Sequence, residues 1–394
     1  MKTLPSLSRI FPRNVTLLLF ALLLAAFGSA ASGKPADKYL VYVGTYTEPQ
    51  SQSKGIYAYR YDASSGKLNS LGLAAEAINP SFLAVHPNRR FLYAVNEVAD
   101  HLGKSSGAIS AFSIDAATGK LKLLNQVASL GADPCYITLD KSGKFVLVAN
   151  YTGGSVAVFP VLPDGRLGKA SAFVQHTGHG TNPERQEGPH AHSIDLSTDN
   201  RFAFVDDLGL DELLVYRFDA EKGMLTPNDP PFAKLDAGAG PRHFALRADG
   251  KFAYVVSEMQ SSVTVFSYDA GAFRRLQTLS TLPKDFSARN EDAEIEVHPS
   301  GKFLYASNRG HDSIAVFSID QAKGTLTLVE HVPAGGKEPR HFEIDPAGKR
   351  LFVENQKSDD IVVFRIDEKT GRLTKTEEKL DVGAPVCVKF VRID

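Results

Sequence analysis

"SNRGHDSIAVF", residues 307–317, is the stretch whose reading decides the fold. Its second half, Ser313 to Phe317, has the composition of a buried strand. Its first half sets Asn308, Arg309, His311 and Asp312 together just before that strand. A single copy would be a charged hairpin turn. The chain, however, writes the same sentence several times with different polar residues in the same slot.

The copies stack on a shared start. They read "PSFLAVHPNRRFLYAVNE" from Pro80, "PCYITLDKSGKFVLVANY" from Pro134, "PHAHSIDLSTDNRFAFVDD" from Pro189 and "PRHFALRADGKFAYVVSE" from Pro241. "DAEIEVHPSGKFLYASNR" from Asp292, "PRHFEIDPAGKRLFVENQ" from Pro339 and "PVCVKFV" from Pro385 follow, with starts roughly fifty residues apart. Each unit gives a strand, a Gly/Asp/Asn turn, a second strand such as "KFLYAS", a polar loop, a third strand such as "SIAVFSID", and a "TGKL"-type turn into a fourth. Four antiparallel strands per period of this length describe a propeller blade. The last unit stops after one strand, while "KYLVYVGTY" and "GIYAYRYD" near the N-terminus read as second and third strands. The two ends then share one blade, and the expected fold is an all-β, seven-bladed propeller. A parallel β-helix, the competing repeat fold, predicts shorter rungs and no complementary ends.

Bulk properties agree with a globular chain. Of 394 residues 43% are hydrophobic and 23% charged, with a formal net charge of −1, so no basic excess points to nucleic acid as a partner. The N-terminus differs. Lys2, Arg9 and Arg13 precede an apolar run from Val15 to Phe27 and then Gly28-Ser29-Ala30-Ala31. These are the parts of a secretory leader, cut after Ala30 or Ala31, and the run is short for a membrane span. A retained anchor is the alternative. The expected organisation is a leader at 1–31 and a propeller at 32–394, exported to the periplasm or beyond and free of the membrane once cut. Cys135 and Cys387 are the only cysteines. They fall in what read as adjacent repeats, either as two separate small core residues or as a disulfide.

Superposing the units names the residues at the channel mouth. After the start position come Ser81-Phe82, Cys135-Tyr136, His190-Ala191-His192, Arg242-His243, Ala293-Glu294, Arg340-His341 and Val386-Cys387. The third position after the start reads Leu83, Ile137, His192, Phe244, Ile295, Phe342 and Val388, which makes His192 the polar exception in an apolar column. After the second strand the column reads Tyr46, Glu97, Tyr151, Asp207, Glu258, Arg309 and Gln356. Arg309 is thereby expected at the same rim as Arg242 and Arg340. Three arginines with histidines and Glu258 suit a small anionic substrate: the guanidinium fork holds an oxyanion, and His or Glu moves a proton.

Other motifs give less. His176, His179, His190 and His192 in "HTGHGTNPERQEGPHAHS" could suggest zinc, but the segment is a Gly/Pro-rich loop without HExxH or paired Cys. It reads better as a loop over the mouth that brings Glu184, Arg185 and Glu187 near the site. There is no Walker lysine after "TGGS" at 152–155 and no G-x-S-x-G elbow.

"EGPHAHSIDLS", "GPRHFALRADGKFAYVVSE", "AEIEVHPSGKFLYASNRGHDSIAVFSID" and "PRHFEIDPAGKRLFVENQ" resemble the seven-bladed lactonase family, which takes in the propeller-type 6-phosphogluconolactonases and the carboxy-muconate lactonizing enzymes. The resemblance spans the mature chain. It implies hydrolysis of a small sugar-acid lactone, 6-phosphogluconolactonase-like, without metal or cofactor. By motif it puts the family's active-site His, Arg, Glu and Arg on His192, Arg242, Glu258 and Arg309. His190, His243, Glu294, Arg340 and His341 are the expected substrate-binding neighbours, and either His192 or Glu258 is the proton-transfer group. Two alternatives stand beside it: a lactonizing cycloisomerase, and a secreted propeller that binds without catalysis. The unequal rim columns favour an enzyme.

Overall fold

The structure is a computed structural model that describes residues 38–101 and 103–393, so the expected leader at 1–31 lies outside the described residues. Its strands form seven four-stranded antiparallel sheets, one per sequence unit. Blades are numbered here from the one holding Lys38. Second strands such as Phe91–Asn96 and Phe303–Arg309 are buried at every position because each sheet is covered on both faces by its neighbours, and among the described residues only Lys38 and Arg350, each the first residue of its strand, depart from this. The apolar core therefore lies between blades. Tyr254 and Val265 of blade 5, for example, pack in one cluster with Leu304 and Phe317 of blade 6.

The ring closes as the two ends of the sequence suggested. Pro385–Ile393 is the innermost strand of blade 1 and pairs with Lys38–Thr45, from Lys38↔Ile393 to Thr45↔Pro385. Further ties cross between blades. Tyr93, Tyr254 and Tyr305, from second strands, donate to the carbonyls of Gly165, Gly324 and Gly371 in the next blade at 3.0, 3.0 and 2.9 Å. Gly324 has φ +72°, and a Cβ there would fall 2.1 Å from the Phe252 ring, so only glycine fits.

The opening stretch now divides into structure and function. Asp312, at φ 54°, accepts from the Glu338 N–H (2.9 Å) and so fixes the loop that enters blade 7. Asp211 and Asp359 do the same for Gly240 (2.9 Å) and Ala384 (2.7 Å). Asn308 donates to Thr281 O at 3.2 Å, and His311 Nδ1 bonds Ser313 Oγ at 2.7 Å. Arg309 alone is left to face the mouth.

Four of the inner strands start with a one-residue break in register against their partners, between Pro134 and Tyr136, Ala191 and Ser193, Pro241 and His243, and Pro339 and His341. The residue inside each break, Cys135, His192, Arg242 or Arg340, is unpaired and turned toward the mouth, a usual service of a β-bulge. This corrects the expected alignment. His192 is the counterpart of Arg242, not of Phe244; Ile194 fills the apolar column, because Pro189 precedes the start of its strand by two residues. Asp207 shifts as well. It pairs with Ala191, which leaves Leu208 in the mouth column, and it accepts instead from His176 Nδ1 (2.6 Å) and the His190 N–H (2.8 Å). The cysteines are two separate buried residues, the first of the two readings, but they are not in adjacent units: they lie in blades 1 and 3 with blade 2 between them.

Deleting residues 385–394 removes the inner strand of blade 1 and bares a strand edge and apolar faces. The truncated protein is expected to aggregate or to lose its cooperative melt, which differential scanning calorimetry reads directly. Melting at the parental temperature would show that the ends do not need each other.

Candidate active site

Bulged inner-strand residues and the residues that follow the second strands converge on one pocket of about 390 Å³. His192, Glu258, Arg309 and Arg340 line it together with Glu97, Cys135, Tyr151, Arg185, Arg289 and Glu291. Glu258 is its electrostatic centre. Its Oε2 meets Arg309 Nη2 at 2.8 Å and Arg242 Nε at 3.1 Å, and its Oε1 accepts from Arg185 Nη2. Arg242 is buried below the pocket floor, with Nη1 donating to Ala293 O (2.7 Å) and facing His243 Nε2 (3.2 Å). Arg309 donates to Asp292 O (3.1 Å), and its buried Nε–H has no partner among the described residues. Arg340 bonds the Tyr46 hydroxyl (3.0 Å), with its guanidinium 5.4 Å from that ring's centre.

Five guanidiniums thus stand around three carboxylates, Glu97, Glu258 and Glu291. The balance is positive, and together with burial it sets the protonation states. Burial raises the Glu258 carboxyl, but Arg309, Arg242 and Arg185 outweigh burial and hold it at about 2. Burial, aided by the charges of Arg242, His243 and Arg340, pushes His192 well below its ordinary value and keeps the imidazole neutral. Cys135 Sγ, 3.8 Å from His192 Nδ1, is held up by burial and stays a thiol. The site has an excess of positive charge, an ionised carboxylate that is a weak base, and an uncharged imidazole at the pocket wall.

The family profile "Lactonase, 7-bladed beta-propeller" matches residues 40–390. The chain belongs to this family. It is 40% identical over 305 residues to the 6-phosphogluconolactonase of Bacillus subtilis, a match covering 77% of this chain and 84% of that one. It is 38% identical to the 6-phosphogluconolactonase of Formosa agariphila over 76% and 85% of the two chains. The solved structure of the Pseudomonas aeruginosa periplasmic gluconolactonase superposes with a TM-score of 0.85 at 36% identity, covering 91% of this chain and 100% of that one. The protein is accordingly an enzyme of the propeller lactonase class, similar to 6-phosphogluconolactonase.

Within this lactonase the residues expected from the sequence separate into two layers. His192, Glu258, Arg309 and Arg340 reach the pocket, with Arg242 directly beneath. His243 and His341 line a cavity of about 10 Å³ below it, while Glu294 lies behind them. His190 is stacked against the outside of Tyr151 (4.6 Å between ring centres) and bonds Glu187 at 3.2 Å. Arg289 and Glu291 were not anticipated. They precede Asp292, outside the aligned columns, and Glu291 Oε1 receives Arg289 Nη2 (2.7 Å) and Arg185 Nη1 (3.2 Å). Arg185 does come from the His-rich loop, whereas Glu184 stays exposed. Among the described residues no group of three or more His, Cys, Asp or Glu is placed to hold a metal.

These protonation states carry a stability consequence. Glu258 and Glu294 sit at about 2, below the usual 4.5, so their contribution is present above about pH 4.5 and is lost as pH falls toward 2. His243, lowered by burial to about 4 from 6.5, contributes above about pH 6.5 and loses that as pH falls through 4. Asp195, raised by burial to about 7, works in the opposite direction, so the readout is the urea-midpoint difference between wild type and Glu258→Gln, which should shrink as pH falls from about 4.5 toward 2. A difference that stays constant from about pH 6 down to about pH 3 would contradict the assignment of Glu258.

Proposed function

We propose that this lactonase hydrolyses a small sugar-acid lactone carrying or acquiring a negative charge, with His192 as the proton-transfer group and Arg242 and Arg309 as the oxyanion holders. The observation that carries the reading is the excess of guanidinium around a neutral imidazole in a pocket sized for one sugar. The names of the relatives, 6-phosphogluconolactonase and gluconolactonase, support the same substrate class.

His192 takes a proton from water as the water oxygen bonds to the lactone carbonyl carbon. Negative charge then develops on the carbonyl oxygen, where Arg242 and Arg309 stabilise it. The ring C–O bond breaks, and the imidazolium returns its proton to the leaving alkoxide. The product is a hydroxy acid, which ionises and releases one proton to solvent. Glu258 is a poor base at about 2 and serves instead to hold the guanidiniums in place. An anionic group bound at Arg340 would cancel the part of the lowering of His192 that comes from that charge, while the larger part, from burial, stays. The leader-like sequence, together with the periplasmic location in the name of the Pseudomonas aeruginosa structure, supports action outside the cytoplasm.

The test is a pH-stat screen of sugar lactones, with and without phosphate. Wild type should hydrolyse at least one. His192→Asn should lower kcat about 10²–10⁴-fold with KM little changed. Arg309→Ala should raise KM, and Arg242→Lys, which keeps charge but loses the fork, should lower kcat. A folded His192→Asn enzyme with parental kcat would remove the proposed base. In a separate check, N-terminal sequencing of protein from its native host should begin near Ala31 or Ser32; mature protein that starts at Met1 would refute export.

A further inference from the structure

Below the pocket lies a row of buried groups to which the proposed reaction gives no work. Arg242 Nη1 faces His243 Nε2 at 3.2 Å, and His243 Nδ1 meets Glu294 Oε2 at 3.0 Å. Glu294 Oε2 also lies 3.4 Å from His341 Nε2, and His341 Nδ1 lies 2.7 Å from Glu354 Oε2. The five residues come from the inner strands of blades 5, 6 and 7 and the second strand of blade 7. Arg242 lies directly beneath the main pocket, and the other four lie outside its lining.

The donors and acceptors in this row have one consistent assignment. Arginine only donates, so His243 Nε2 must be the acceptor and Nδ1 must carry the hydrogen. Nδ1–H needs an acceptor, and the Glu294 carboxylate, which cannot donate, is one. The same carboxylate accepts from the Ile295 N–H at 2.9 Å, while His341 Nε2 stands 3.4 Å away as a charge contact and His341 Nδ1 bonds Glu354 at 2.7 Å. The Glu294–His243 link is the one that ends on Arg242.

We propose that Glu294, through His243, is a positioning residue for Arg242: it sets the His243 tautomer and thereby the aim of the guanidinium at the developing oxyanion. The assignment rests on the lactone-hydrolysis reading of the site. It differs from the sequence-based expectation that Glu294, His243 and His341 bind substrate themselves. Both carboxylate oxygens face His243 Nδ1, at 3.1 and 3.0 Å, and one of them also takes the Ile295 N–H. In Glu294→Gln one of the two positions becomes an NH2 donor set against Nδ1–H. His243 relieves this by turning its N–H toward Arg242, which pushes the guanidinium away.

A double-mutant cycle separates positioning from general structural damage. In the wild-type background Glu294→Gln should lower kcat about 10–100-fold with KM within about two-fold, the loss expected from a misaimed oxyanion donor. In an Arg242→Lys background, where the fork is already absent, the same substitution should cost less than about three-fold. Equal losses in both backgrounds would overturn the proposal, as would no loss in the wild type. If Glu294→Gln fails to fold, the pair His243→Leu and His243→Gln takes its place. The glutamine carbonyl can still accept from Arg242, so Gln should retain most of the activity that Leu loses; equal activity of the two would overturn the proposal. If wild type hydrolyses no lactone, the reading of the site falls by itself. The positioning is then read from calorimetric titration with gluconate in the same four proteins: non-additive affinity losses support it, and additive or absent losses overturn it.

Discussion

Glu258 is the charge on which the mouth of the channel depends. Arg242, Arg309 and Arg185 come from two blades and a loop, and like charges so close would repel without an anion between them. A buried carboxylate is itself costly and exists ionised only because three guanidiniums surround it. The cluster is therefore mutually dependent: each member is held in place by charges that would otherwise be expelled into water. Removing one member leaves the others unbalanced, which is the expensive way to break a buried ion pair. Burial together with the same field keeps His192 uncharged, and the buried Arg309 Nε–H has no partner among the described residues.

The propeller makes such a cluster possible because seven inner strands start at one ring. A bulge at the head of a strand turns one side chain upward, and the residue after each second strand stands beside it. Positions repeat while residue types do not. Ser81, Cys135, His192, Arg242, Ala293, Arg340 and Val386 follow one another around the inner ring, so the scaffold is symmetric and the chemistry is not. Rigidity comes from elsewhere in each unit, from the Asp clamps at Asp211, Asp312 and Asp359 and from the tyrosine-to-glycine ties between blades.

How much of this was legible beforehand follows the same division. The period, the strand order and the shared blade were readable because they are written in apolar alternation and turn residues, which act locally. Arg242, Arg309 and Arg340 could be placed at one rim for the same reason. His192 was picked out on a faulty column, since the sequence does not reveal where a bulge begins or that Pro189 stands outside its strand. Asp207 was misplaced by the same one-residue ambiguity. Glu291 escaped notice because the partner that ties it to the site is distant in sequence: Arg185 lies about a hundred residues from it, and Arg289 enters the pocket beside Glu291. Nor does sequence separate a residue that touches substrate from one a layer deeper, and that distinction decides the roles of His243, Glu294 and His341.

The account centres on a guanidinium cluster that receives the charge of the reacting group beside a neutral imidazole. A crystal structure of the protein soaked with gluconate, the product of gluconolactone hydrolysis, tests this most directly. The account predicts the carboxylate of the product on Arg242 and Arg309, with one oxygen within hydrogen-bond distance of His192 and Glu258 still held by its three arginines. Gluconate bound with its carboxylate away from both arginines, or with His192 outside hydrogen-bond reach of it, would contradict that account.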